Sequence, residues 1–66
     1  MKRFTIVCRL LVTSVPHVLG YADSPGEAVT MARKFTQEGK RDVRIGDGQV
    51  EKHFDTESFA KEYGVR

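Results

Sequence analysis

Apolar and polar residues alternate over residues 4–12, with Phe4, Ile6, Cys8, Leu10 and Val12 on one face and Thr5, Val7, Arg9 and Leu11 on the other. A period of two predicts a strand. The second face is itself half apolar, at Val7 and Leu11, so it is either partly covered or meets another molecule. Residues 13–16 read as a turn, and 18–22 as a short second strand returning antiparallel. Pro16 and Gly20 weaken that strand, which suits a sheet edge.

From Ser24 the period changes. Ala28, Met31, Ala32 and Phe35, with Val29 on the flank, follow the three-and-four spacing of one buried helix face, while Glu27, Arg33, Lys34, Gln37 and Glu38 take the wet side. Ser24 is a good N-cap, Pro25 stands where its missing N–H costs nothing, and Glu27 is placed to complete a capping box. Gly39 supplies the left-handed stop, and Lys34, Lys40 and Arg41 complement the negative end of the helix. The helix is therefore expected over 24–39. Gly26, in its first turn, is a local inconsistency.

Residues 42–45 predict a third strand, and Gly46-Asp47-Gly48-Gln49 has Asp-Gly at the centre of a two-residue hairpin turn. Residues 50–54 are its partner. Pairing across that turn sets Ile45 opposite Val50, Arg44 opposite Glu51, Val43 opposite Lys52 and Asp42 opposite His53. Lys52 then falls on the inward side and is expected near an edge, with its ammonium in water. Asp55 caps a last short helix over 56–63, in which Phe54 and Phe59 form a hydrophobic staple and Gly64 is the stop. Two turns do not hold alone, so Phe59, Ala60 and Tyr63 must dock on the rest of the domain.

The order ββαββα predicts one α+β domain over residues 1–66: a four-stranded, mainly antiparallel sheet with the long helix on one face and a short C-terminal helix. The expected strand order is second, first, third, fourth. Core candidates are Phe4, Ile6, Cys8, Leu10, Val29, Met31, Ala32, Phe35, Val43, Ile45, Val50, Phe54 and Phe59.

At 66 residues the chain buries only about 60% of the surface its unfolded form exposes, which argues against a sizeable enclosed pocket. One cysteine, Cys8, excludes an intramolecular disulfide and fits a reducing, cytoplasmic setting. The basic and apolar start superficially resembles a targeting segment. Arg9 breaks that run, which is too short for a membrane span, so a strand is the better reading.

The candidate chemistry is sparse. Cys8 sits in an apolar strand pattern and reads as a buried, inert side chain; Cys8, His17 and His53 lack metal-ligand spacing. Asp47 is needed by the turn and Asp55 by a cap, leaving no carboxylate pair for acid–base work, and no catalytic, cofactor or metal residue is assigned. The glycines flanking Asp47 make no phosphate cradle, because no helix opens after Gly48. Arg33, Lys34, Lys40, Arg41 and Arg44 cluster in sequence and are candidate phosphate contacts, although a net charge of +2 does not by itself imply nucleic acid.

The run DSPGEAVTMARKFTQEGKRDVRIGDGQV resembles a pattern of short bacterial and phage reading frames without assigned function, in which a D-S/T-P-x-E-A helix ends in E-G before a V-R-I strand. The S-P-x-E-A entry is also similar to the helix of HicB-type antitoxin domains, and that resemblance implies a partner-binding role. The expectation is thus a non-enzymatic protein-interaction module, self-associating through a strand edge or through the sheet face bearing Val7, Leu11 and Tyr21. A small nucleic-acid-binding protein is the alternative.

Overall fold

Each helix begins and ends where a side chain or a glycine satisfies the backbone. The computed structural model describes residues 2–9 and 16–65, with elements β1 (Phe4–Arg9), β2 (Pro16–Ala22), α1 (Pro25–Gln37), β3 (Arg44–Asp47), β4 (Lys52–Asp55) and α2 (Thr56–Tyr63). The expectations for Leu10, Leu11, Val12 and the turn at 13–15 lie outside the described residues.

In α1 the Glu27 N–H donates to Ser24 Oγ at 3.3 Å, so the N-cap forms as expected. At the other end Gly39 takes φ 97°, the Lys40 N–H reaches the Phe35 carbonyl and the Gly39 N–H reaches that of Thr36, both at 3.1 Å. Those two bonds are a Schellman closure. A methyl group at Gly26 would meet nothing within 4 Å, so this glycine is a backbone cost without a packing reason. Gly26→Ala is expected to raise stability by up to about 1 kcal/mol, read as a higher urea midpoint at unchanged slope.

The strands form one antiparallel sheet in the order β2-β1-β3-β4, with β1 flanked on both sides. Both helices cover a single face. Phe4, Ile6, Cys8, Ala22, Val43 and Ile45 from the sheet side meet Ala28, Val29 and Ala32 of α1 and Phe59 and Ala60 of α2. Met31, Phe35 and Phe54, expected in the core, are partly buried against it. The staple is present, with the Phe54 and Phe59 rings edge to face at 5.8 Å.

The hairpin differs from the expected one. Ile45 pairs with Phe54, Gly46 with His53, Asp47 with Lys52 and Arg44 with Asp55, around a four-residue loop at 48–51. Val50, expected inside, is 50% exposed in that loop, and the expected Arg44–Glu51 pair does not form. Two preferences outweigh the local Asp-Gly turn signal and the cost of Glu51 closing the loop at φ 54°: the aromatic Phe54 replaces the smaller Val50 opposite Ile45, and Asp47 stays extended to bury its carboxylate. The register moves by an even number of residues, so the side chains of residues 52–54 keep their expected faces while Val50 and Glu51 leave the strand for the loop. Lys52 is accordingly on the helix-side face of an edge strand, and exposed.

Candidate functional site

Asp47 is the one buried polar or charged residue among the described residues, at 1% exposure. Strand β3 carries it to the helix-covered face, opposite Phe4, where four donors reach it. Arg3 grips both oxygens, Nε to Oδ1 at 3.0 Å and Nη2 to Oδ2 at 2.9 Å. The Tyr63 hydroxyl donates to Oδ2, and the Gln49 N–H to Oδ1 at 2.9 Å. The Arg3 guanidinium also lies 4.9 Å from the centre of the Phe4 ring.

The Arg3 hydrogen bonds hold the Asp47 carboxyl down to about 2, against the opposing effect of burial. The hydrogen bond to Asp47 first and burial second raise the Tyr63 phenol above its ordinary value of 10.0. A carboxylate this deeply enclosed and this fully bonded acts as a fastener. It ties the N-terminal segment, the hairpin and α2 together.

Among the described residues, no helix lies on the opposite face of the sheet. In its first row Tyr21, Thr5, Gly46 and His53 stand side by side across the strands. In the next row are Val18, Val7 and Arg44, followed by Arg9 at the end of β1. The face divides into two halves. Over β1 and β2 it is apolar: Val7 is buried at 6% beside Val18, 45% exposed, and Tyr21, 51% exposed. Over β3 and β4 it is polar, and Gly46 matters there, since a Cβ on it would lie 3.0 Å from the His53 ring. A larger residue there would push the imidazole off its place across β3.

Between the halves, Asp42 binds two arginines. Arg44 Nε donates to its Oδ1 at 3.1 Å, and Arg9 Nε lies 3.7 Å from its Oδ2. Asp42 adopts φ 53°, a left-handed conformation that aspartate tolerates better than most residues. A depression of about 150 Å³ opens here, lined by Val7, Cys8, Arg9, Asp42, Arg44 and His53. The paired arginines went unanticipated because the expected register set His53 against Asp42 instead of Gly46. The period-two pattern did contain a usable signal, in that Val7, Arg9, Arg44 and His53 share a face.

Of the expected interaction surface, Val7 and Tyr21 do share the helix-free face, and Leu11 is outside the described residues. The five basic residues do not form one patch. Arg33 is on α1 and bonds Glu57 of α2, its Nη2 3.2 Å from Oε1, while Arg44 points from the other side of the sheet; Lys34, Lys40 and Arg41 are exposed. Cys8 is free and buried, and His17 and His53 are exposed. Among the described residues no group of three or more His, Cys, Asp or Glu side chains could hold a metal ion, and no helix is long and apolar enough to cross a membrane.

No protein-family model, curated protein or solved structure matches this chain.

Proposed function

We propose that this protein is a non-enzymatic, cytoplasmic interaction module that pairs with a second copy of itself through the apolar half of the helix-free sheet face. The observation that carries this reading is the patch formed by Val7, Val18 and Tyr21, which no helix of the described residues covers although two cover the other face. Two of the three large apolar side chains exposed on the described surface lie in it.

The sheet edges offer less. β2 begins with Pro16, which cannot donate to a ladder, and β4 is four residues long with exposed Lys52 and His53. Pairing by strand addition is thereby discouraged on both sides, and the face is what is left. Charge supports a like partner. Arg9 and Arg44 are offset by Asp42, with Asp55 opposite Arg44, so a copy of the same surface meets no strong single-sign field. The free, buried Cys8 supports the reducing setting.

The patch is small beside the roughly 800 Å² per partner of a standard interface, so a micromolar dimer is expected rather than an obligate one. Sedimentation equilibrium over a concentration series should show the molecular weight rising from one copy toward two. Val18→Glu, at a site already 45% exposed, should leave a folded monomer at every concentration. A wild-type chain that stays monomeric at millimolar concentration would remove the reading.

A further inference from the structure

The depression beside that patch carries a different proposal. We propose that the pocket bounded by Arg9, Arg44 and His53 binds a phosphate group, as the free ion or as a phosphomonoester.

Asp42 engages both arginines through Nε, at 3.7 Å for Arg9 and 3.1 Å for Arg44. Among the described residues the terminal Nη groups of both therefore remain without a hydrogen-bond partner, on side chains that are 61% and 43% exposed. A guanidinium presents five donors in a fixed fork, so one held at Nε still offers its outer pair. Asp42 thus positions the two forks; with Asp55 also opposite Arg44, what the site offers an oxyanion is the outer donors of the forks and not a net positive charge.

The rest of the pocket suits the same ligand. The floor is Val7, 6% exposed, which keeps water from one side of the site and strengthens charge contacts made there. His53 stands on the far side, its ring laid across Gly46. A volume of about 150 Å³, open to solvent on one side, admits a tetrahedral oxyanion. Phosphate matches the arginine forks bidentately where chloride does not. None of these residues belongs to the apolar patch except Val7, so this proposal does not depend on the dimer.

The test is an NMR titration of the arginine Nε–Hε and His53 ring resonances with inorganic phosphate, and separately with phenyl phosphate, against sodium chloride at matched ionic strength. Saturable shifts at Arg9, Arg44 and His53 with millimolar affinity are expected for phosphate and not for chloride. Equal affinity for both probes identifies the free ion as sufficient; tighter binding of phenyl phosphate, with added shifts at Val7, identifies a phosphomonoester. Arg44→Gln should weaken binding roughly tenfold or more, with Arg44→Lys intermediate because charge survives and the fork does not. Lys34→Gln, on α1, should change nothing. Unsaturated shifts at tens of millimolar phosphate, or equal losses in Arg44→Gln and Lys34→Gln, would overturn the proposal. Backbone amide spectra of each variant show that the sheet is intact, and a dimer that fails to form leaves every one of these readouts unchanged.

Discussion

Asp47→Ala is expected to lower stability by about 3 kcal/mol, the low end of the cost of breaking a buried charge pair. The low end applies because Arg3, with 38% of its side chain exposed, can turn to water, whereas the Tyr63 hydroxyl and the Gln49 amide lose their acceptor. For 66 residues total stability is on the order of 3–10 kcal/mol, so the variant should be substantially unfolded in mild urea. Circular dichroism during urea titration measures this directly. A loss under about 1 kcal/mol would show that the three tied segments are held by packing alone.

The same carboxylate sets an acid limit. Its folded value of about 2 lies below the unfolded 3.8, so Asp47 binds its proton less readily when folded, and stability falls as pH drops. The contribution is complete above about pH 5 and disappears as pH falls through 2, amounting to at most about 2.5 kcal/mol. Asp55, lowered by the Ser58 N–H that it caps, acts in the same direction. Asp47→Asn isolates the Asp47 share: the stability gap between wild type and variant should narrow between pH 5 and 2. A gap that stays constant over that range would contradict the assignment.

Phe59→Ala is expected to cost about 3–5 kcal/mol, enough to abolish cooperative unfolding in so small a domain. Phe59 is fully buried, lies edge to face with Phe4 at 5.4 Å and with Phe54 at 5.8 Å, and stacks on Tyr63 at 4.2 Å. Its loss opens a cavity and also loosens the ring whose hydroxyl reaches Asp47. The two sites should therefore couple. In a double-mutant cycle of Asp47→Asn with the milder Phe59→Leu, the losses should add to less than their sum by about 0.5 kcal/mol or more. Phe59→Leu, which refills most of the volume, should recover a large part of the stability and gives a folded reference should the alanine variant not fold.

Where local chemistry and tertiary packing agree, the elements could be read from the chain. Ser24, Gly39, Asp55 and Gly64 mark helix ends that the backbone itself requires, and the two-residue period of β1 assigns Phe4, Ile6 and Cys8 to one face in any register. The hairpin shows where agreement ends. Asp-Gly is a strong turn signal, but it fixes register only while no distant group competes for the aspartate. Here Arg3 is 44 residues away in sequence and Tyr63 is 16 away, and both claim its carboxylate. For the helix-free face, Val7 and Tyr21 were legible by parity; the convergence of Arg9 and Arg44 on Asp42 was not, because it depends on a left-handed residue before β3.

By itself, then, the order of residues determined the element sequence, the helix limits and which side chains share a face, since each follows from interactions spanning five residues or fewer. The tertiary structure alone decided the strand partners across the last hairpin, the burial of Asp47 and the pairing of the two arginines. Each of these is a choice among locally permitted arrangements, and it is settled by desolvation and charge between segments that only the folded sheet brings together.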